Sequence, residues 1–576
     1  MPVVVRCTSG FRVAVLLLLA AAAPASAATP RDELLRYVPD DVGFCFILQD
    51  SRDQLKTLAS SPFAEQLDKS PLGRALNGSK EIQKLIDVEK QLKQLIGLSS
   101  DELRDDILGD AVVFAFRPAP PGKPEQEAGL VLIRARDAKK LQALIDHVND
   151  VQKNSGQLKS LDDREHNGLK YFRRVEQKET NFYHVRGPVL IFTGQESMLR
   201  EALDRDRTTP AEAEPALARR LRDAGLPRAL FTASINPRAF DEMLAAKTTE
   251  SQVASDVAFL KNFSRYWKAL DAAFISLGAD KDFALTVALQ GRPDDLPAAA
   301  RKVFTEAAKP SELAAVFPEN ALLATSLRVD FAALVEVLGD FMTKENRAHF
   351  QRQLSFGGVV GKNYLQDIGP DVGMVLFAPA AREKTWLPHA AFALKVAPGS
   401  DPARPTDEAI VTALKSFALL AVVGHNQQHA DETIEVTKVQ QGKREVHTLV
   451  GDKAFPPGVQ PSLCLTNGYL LLADSPDTIR QIADALAKPA KPPEGTAVPL
   501  LRLSFKDLRG YLKEHREPLV QSMAERDKIT NEEAAERLDN LLGVLHFADH
   551  LEVSQRTAPG RTTLTIAVQP AYALKK

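Results

Sequence analysis

The histidine pairs are the residues whose spacing most resembles a chemical site. His425 and His429 lie four residues apart, and Asp431 and Glu432 follow them. Histidines at this spacing on a helix face the same way and can bind one zinc ion. The glutamate that acts as general base in zinc proteases is absent after the first histidine, and Gly424 is expected to end the helix. A solvated helix end is therefore the favoured interpretation.

A second pair, His546 and His550, has the same spacing in a different setting. The chain continues into residues 551–553, which have strand character, and we expect both histidines to lie on one strand. Four residues of strand span about 13 Å at ~3.3 Å per residue, which is too far for both rings to bind one ion. We interpret them as ordinary strand residues.

The glycine-rich run at residues 357–363 invites comparison with a phosphate-binding loop. That motif needs four residues between its glycines and a Ser or Thr after the lysine. Phe356 stands where the first glycine is required, and Asn363 replaces the hydroxyl after Lys362. We therefore reject the motif and expect a flexible loop.

Nucleophilic catalysis finds no support in the sequence. No Gly-x-Ser-x-Gly elbow is present. Cys45 and Cys464 lie in apolar segments with strand character, where a thiolate is disfavoured. A disulfide between them stays open at this point, but buried free cysteines that behave as small hydrophobic residues are the favoured interpretation.

Three pairs of adjacent aspartates offer carboxylates for general acid and base chemistry. They are Asp40 and Asp41, Asp105 and Asp106, and Asp162 and Asp163. All sit beside turn or helix-cap signals, where Asp bonds the local backbone. Asp110 and Asp371 occupy matching positions in the two parts of the chain, which favours a structural turn role. We assign no catalytic, cofactor-binding or metal-ligating residue and expect no cofactor.

The elements that would position any site recur in the same order in both parts of the chain. The matches are an opening helix, proline and strand (residues 33–50 and 312–330), a helical region (55–96 and 331–354), a Gly-Asp turn with an apolar strand (106–118 and 367–379), a strand and helix (130–145 and 390–420), a hairpin feeding a helix (181–203 and 463–486) and a closing strand (284–290 and 563–569). Chance is a poor explanation for six matches in register. We predict a duplication, with a first repeat over residues 28–310 and a second over 311–576.

Local signals within these matches specify several boundaries. Asn467-Gly468 between apolar runs is a strong hairpin signal, because type I′ turns need positive φ at both central residues. A short strand and helix precede each closing strand, and Ser234 and Ser504 are expected where the strand ends. Proline-lysine segments at 119–128 and 487–497 are expected to be exposed loops within each repeat.

The fold class that follows is α+β, with two tandem similar halves. Strands occur in sequential pairs as well as alternating with helices, which argues against a doubly wound parallel sheet. Residues 283, 285, 287 and 289 are bulky, whereas 284, 286 and 288 are small. We therefore predict in each half a largely antiparallel sheet flanked by helices.

The first residues have the pattern of a secretory leader. Arg6 and Arg12 precede an apolar run over residues 13–23 and a small-x-small cleavage site at 25–27. We predict a signal peptide over residues 1–27 and a periplasmic or extracellular location. No later stretch is expected to span a membrane, and the nearest, residues 417–424, is far shorter than the ~20 residues that a spanning helix needs.

The charge balance excludes one class of partner. The chain has 73 basic and 75 acidic residues and a net charge of −2. Nucleic-acid-binding proteins carry a concentrated basic excess, so nucleic acid is not expected as a partner.

The order of these elements resembles that of a family of exported bacterial proteins catalogued only as a domain of unknown function. The resemblance lies in the opening elements at 34–48 and 314–327, the Gly-Asp strand at 109–116, and the glycine, strand and helix at 187–203 and 468–486. It implies export and a duplicated sheet-helix fold, and it brings no catalytic residues.

Two function classes follow. The favoured one is a non-catalytic binding or structural protein of the cell envelope, whose partner is an unknown protein or an apolar ligand held on the sheets. The alternative is an envelope hydrolase with a site built from loops.

Overall fold

A computed structural model describes residues 29–80, 84, 87, 96–208, 210, 213–226, 228–251, 253–354, 365–380, 383, 385–399, 405–488 and 497–574. Three sequence predictions lie wholly or mostly outside these residues: the leader at 1–27, the glycine-rich loop at 357–363 and the loop at 487–497.

The described strands form one 20-stranded antiparallel sheet. They are β1 (Phe44–Gln49), β2 (Ala111–Arg117), β3 (Ala128–Arg134), β4 (Leu158–His166), β5 (Leu169–Glu176), β6 (Thr180–Arg186), β7 (Val189–Thr193), β8 (Phe231–Ile235), β9 (Leu270–Ala279), β10 (Phe283–Gly291), β11 (Leu323–Arg328), β12 (Ile368–Phe377), β13 (His389–Val396), β14 (Glu435–Gln441), β15 (Arg444–Val450), β16 (Ser462–Thr466), β17 (Tyr469–Ala473), β18 (Ala497–Ser504), β19 (Ala548–Ala558) and β20 (Arg561–Pro570).

The order of the strands is the same in both parts of the sheet. The first ten strands lie in the order β4-β5-β6-β7-β3-β2-β1-β8-β9-β10. The second ten lie in the order β14-β15-β16-β17-β13-β12-β11-β18-β19-β20. Strand β10 pairs with β20, so the two parts form one continuous sheet rather than two separate ones.

Seventeen helices of six or more residues can be bounded in the described part of the chain. They are α1 (Pro30–Leu35), α2 (Ser51–Ala59), α3 (Pro62–Lys69), α4 (Pro71–Asn77), α5 (Ala138–Asn154), α6 (Glu196–Thr208), α7 (Ala216–Asp223), α8 (Asp241–Glu250), α9 (Ala254–Lys268), α10 (Ala298–Ala307), α11 (Phe331–Asp340), α12 (Lys344–Leu354), α13 (Thr406–Gln428), α14 (Pro476–Leu486), α15 (Phe505–Glu514), α16 (Arg516–Asp527) and α17 (Asn531–Leu545).

The main cores lie between one face of the sheet and the helices that cover it. In the first part, Cys45, Val113 and Leu130 are buried in the same cluster as Leu199 of α6. In the second, Cys464 and Leu471 are clustered with other buried residues, among them Ile479 of α14. Strand alternation therefore places one set of side chains against helices, as the α+β prediction requires.

Several local predictions are confirmed. Asn467 and Gly468 both have positive φ, at 53° and 75°, and join β16 to β17 in a two-residue turn. The helices after both hairpins are present as α6 and α14. Pro62 and Pro71 each begin a helix, because proline is tolerated in the first turn.

Other local predictions are wrong. Ser504 ends β18 and caps α15, as predicted, whereas β8 ends at Ile235, one residue beyond Ser234. Gly424 does not end its helix, since α13 continues to Gln428. The apolar segment at 417–424 is therefore part of a 23-residue helix, the one helix in the described residues that is long and apolar enough to cross a membrane by length and composition.

Candidate functional site

The side of the sheet opposite the main cores carries a row of large, partly exposed apolar side chains. We call it the open face. Its exposed members are Phe46, Phe114, Ile275, Leu277, Leu285, Met374 and Leu472, each 37–46% exposed. They alternate along their strands with buried residues such as Cys45 and Val113. The exposed side chains therefore form a contiguous apolar patch, which is typical of interaction sites, rather than scattered surface residues.

The strand register makes these side chains neighbours. Phe46 lies opposite Phe114 and stacks on Phe231. From Phe231 the row continues across the strands as Leu277, Leu285, Ile566, Val553, Leu501, Thr325, Met374, Phe392 and Leu472. Twelve strands separated by ~4.8 Å give the row a length of roughly 50 Å. Thr325 is its single polar member.

Helices border the open face on two sides. Helix α5 packs on Ile133 and Leu190, which lie on the same face as Phe114. Helix α13 packs in the same way on Leu394 and Leu470 in the second part of the sheet. The exposed row lies between these helices.

The strand ends are bordered as well. The Phe44 ring lies 4.9 Å from that of Phe240, and the Phe283 ring lies 5.3 Å from that of Phe63. Leu376 packs against the cluster formed by α15, α16 and α17. The open face is therefore an apolar sheet surface that is bordered by helices.

A polar cleft of about 780 Å³ lies on the opposite side of the sheet, beside the β9–β10 hairpin. Small side chains line it where helices do not cover the sheet, including Ser276, Ala284 and Thr286. Its charged lining is Asp50, Asp53, Arg228, Asp280, Lys281 and Asp282. Farther along β10 the small-residue face is covered, and Ala288 is fully buried in the first core.

Asp50, which precedes α2, differs from Asp330, which precedes α11. Asp330 caps α11 by accepting a hydrogen bond from the Ala333 N–H at 2.8 Å. Asp50 precedes α2 with φ of 51° and makes no side-chain cap bond. Burial raises the pKa of the Asp50 carboxyl, and the nearby charges of Asp53 and Asp110 add to the increase.

Asp110 and Asp371 belong to corresponding ion-pair networks, which the turn interpretation missed. Arg134 Nη1 lies 2.6 Å from the Asp110 carboxylate, and Arg134 Nε lies 3.2 Å from Glu33. In the second network Lys395 Nζ lies 2.7 Å from Glu312 and 3.9 Å from Asp371. Both networks join the opening helical segment to the sheet.

A buried histidine between two carboxylates was not anticipated from the sequence. His389 Nδ1 lies 2.8 Å from Asp474, and its Nε2 lies 2.5 Å from Glu383. The hydrogen bond to Asp474 is the main cause that raises the pKa of His389, and Glu383 contributes further. The arrangement stabilises an imidazolium inside the second half.

The two histidine pairs lie in different surroundings. The His425 and His429 rings lie 4.7 Å apart, and His425 Nε2 contacts the Glu432 carbonyl oxygen at 2.9 Å. His546 follows the last residue of α17, whereas His550 is in β19, so placing both on one strand was wrong. Within the described residues, no group of three or more His, Cys, Asp and Glu side chains is arranged to hold a metal.

Ion pairs, more than backbone turns, account for the adjacent aspartates. The carboxylates of Asp40, Asp41, Asp105, Asp106 and Asp162 lie within 3.2 Å of Arg205, Arg117, Arg104, Lys140 and Arg173, respectively. Asp162 and Asp163 lie within β4, so placing them beside a turn was wrong.

Cys45 and Cys464 are free and buried, as the favoured interpretation predicted. Cys45 belongs to the first core and Cys464 to the second. Burial raises the pKa of Cys45 to about 12 and also raises that of Cys464.

Compared with known proteins, the chain matches no protein-family model and no curated protein. The resemblance to a family of exported bacterial proteins therefore stays a prediction.

Sequence reasoning missed the open face and two hairpins. Alternation in β10 separated bulky from small side chains, but it did not tell which face the helices would leave exposed. The β4–β5 hairpin carries its own signal, because Asn167 and Gly168 both adopt positive φ between the strands. The β14–β15 hairpin turns at Gly442, which also has positive φ.

Proposed function

We propose that this is a non-catalytic binding protein of the cell envelope, exported by the leader at residues 1–27, and that it holds an apolar ligand on the open face. The row of side chains from Phe114 to Leu472, which is apolar except for Thr325, carries the proposal. Exposed apolar surface costs free energy, about 25 cal/mol per Å² left in water, which a bound apolar ligand recovers.

The chain arises, in this proposal, from a duplication of one ten-stranded unit. Identical strand order in the two parts supports it, as do the corresponding networks around Asp110 and Asp371. A duplicated unit brings two equivalent apolar surfaces together at β10 and β20, so the row is long enough for more than one ligand. The family resemblance is part of the same proposal.

A fluorescent long-chain fatty acid tests the binding function. The probe should show saturable binding to the chain lacking residues 1–27, and Leu285→Glu should weaken that binding at least about tenfold because a charge then lies in the middle of the row. Glu552→Gln, on the opposite side of β19, is the control and should bind normally. Absence of saturable binding to the unsubstituted chain would rule out this ligand class.

An envelope hydrolase that uses the polar cleft is the second candidate. Asp50 supports it, because a carboxyl with a raised pKa beside other acids is suited to general acid chemistry. Asp50→Asn should abolish any hydrolysis of ester or glycoside substrates while leaving the fold intact. Activity that survives this substitution would exclude the cleft as its source.

A further inference from the structure

The outer side of α13 changes from polar to apolar along its length. Glu408, Thr412 and Ser416 are its exposed residues in the first half of the helix, one about every turn. Between residues 417 and 423 the exposed side chains are all apolar. They are Phe417, Leu419, Leu420, Ala421 and Val423, and Leu420 is 70% exposed. We call these five residues the apolar tip.

The corresponding helix of the first part of the sheet has no such feature. Helix α5 follows β3 as α13 follows β13, and it packs on the same side of the sheet. Apart from Ala143, its exposed residues are polar or charged, including Asp146, Asp150 and Lys153. The tip is therefore specific to the second part and is not needed to cover the sheet.

The shape of the tip indicates what covers it. Successive helix residues turn by 100°, so the side chains from Leu419 through Ala421 span an arc of about 200°. A protein groove contacts one stripe of a helix, at positions such as i, i+3, i+4 and i+7. A bilayer surrounds every side that does not face the protein, which matches this wide arc.

The area and the charge of the apolar tip also favour a bilayer over a protein partner. Five side chains present far less than the ~800 Å² per partner of a stable protein interface, which argues against a second copy of the chain. Residues 416–424 include no charged side chain, and Lys415, the lysine nearest to them in sequence, lies 3.9 Å from Glu445. The tip therefore needs no anionic headgroup.

We propose that the apolar tip inserts into the surface of a lipid bilayer and anchors the protein beside it. Helix α13 does not span the membrane in this arrangement, because Ile410 and Leu414 in its first half pack against the sheet. The tip enters the region between headgroups and acyl chains, while the polar residues on both sides of it stay in water. This proposal is independent of ligand binding on the open face.

Flotation with phosphatidylcholine vesicles tests the anchor. The experiment uses the chain without residues 1–27, since that apolar run would bind vesicles by itself. The unsubstituted chain should float with the vesicles, and Leu420→Glu or Val423→Glu should lower the partition coefficient about tenfold or more, because one buried Leu or Val contributes roughly that factor. Thr412→Glu, on the polar half of the same helix, is the matched control and should float normally.

A probe at the tip gives a second readout. An environment-sensitive fluorophore on Leu420→Cys should shift to the blue when vesicles are added, whereas the same label on Thr412→Cys should not. Cys45 and Cys464 are buried and should not take the label in the folded protein.

Three results would overturn the anchor. They are failure of the unsubstituted chain to float, normal flotation of Leu420→Glu, and loss of flotation in Leu285→Glu, which would assign vesicle binding to the open face. A doubled mass in solution without lipid that Leu420→Glu abolishes would instead identify a second copy as the occupant of the tip. If Leu420→Glu no longer floats but still binds the fatty acid, the membrane anchor and the proposed ligand binding are separate properties.

Discussion

Thr286 and Thr565 lie directly opposite each other where β10 pairs with β20, and their Oγ1 atoms are 3.5 Å apart. The register is symmetric about this pair. Leu285 lies opposite Ile566, and Val287 lies opposite Leu564. The two threonines also occupy matching positions in the aligned closing strands at 284–290 and 563–569. A local two-fold relationship between the parts of the sheet would pass through this pair.

Cysteines at these two positions should form a disulfide. The double variant Thr286→Cys, Thr565→Cys should cross-link under mild oxidation, because directly opposed strand residues have the Cβ separation that a disulfide requires. A protease site inserted near residue 310 would then release two fragments only after reduction. The pair Thr286→Cys, Thr562→Cys, shifted by three residues, should not cross-link, and equal cross-linking of both pairs would contradict the register.

Removing the Asp371 charge should destabilise the second half. This carboxylate is fully buried, accepts from Arg328 Nη1 at 3.0 Å and accepts from the Glu312 N–H at 3.1 Å. Asp371→Asn should lower the free energy of unfolding by about 2–3 kcal/mol, because a buried charge-assisted hydrogen bond to Arg328 is lost while Glu306 remains its ionic partner. Asp110→Asn is the matched control, with a smaller expected loss since Asp110 retains some exposure. Urea unfolding measures both, and equal losses would contradict the role of burial.

His389 should make stability depend on pH. The pKa of His389 is raised in the folded protein. Its contribution to stability is therefore complete below the pKa of the unfolded chain, about 6.5, and is lost as the pH rises through the pKa of the folded protein. His389→Gln should therefore cost more stability at pH 5.5 than at pH 9, by on the order of 1 kcal/mol.

His447 provides a control of opposite sign. Burial lowers its pKa, and Lys415 lowers it further, so protonation of His447 opposes folding at low pH. The free energy of unfolding of His447→Gln, relative to that of the unsubstituted chain, should therefore be higher at pH 5.5 than at pH 9. Urea midpoints at both pH values would test the two histidines together, and parallel trends would contradict one of the two assignments.

The cysteines should be unreactive until the chain unfolds. Burial holds the pKa of Cys45 at about 12, so almost no thiolate is present at neutral pH. A thiol reagent such as DTNB should modify neither Cys45 nor Cys464 in the folded protein lacking residues 1–27. Both should react at once in urea. Fast labelling without denaturant would show that one core opens readily.

Local sequence patterns predicted the helices and hairpins that depend on neighbouring residues. Asn467-Gly468 specified its turn, because few other pairs adopt positive φ twice in succession. Gly424 was misjudged, since a glycine inside a helix costs only about 1 kcal/mol and flanking turns can compensate.

The joining of the two parts and the candidate sites depend on distant residues. Nothing in residues 283–291 alone specifies that β20, rather than solvent, lies beside β10. The contact of His389 with Asp474 could not be predicted from local sequence either, because the two residues are 85 positions apart. The open face depends on which sheet surface the helices leave uncovered, which alternation alone does not determine.

The pairing of β10 with β20 also affects how the protein resists aggregation. Among the described strands, β4 and β14 pair on one side only, and both carry charged residues, such as Asp163 and Lys438, that discourage growth of the sheet by other molecules. Strands β10 and β20 are long and nearly free of charge. Each would recruit foreign strands if left alone. Because both strands belong to one polypeptide, each is at high local concentration near the other. Strands β10 and β20 therefore pair within the molecule before either can pair with another molecule.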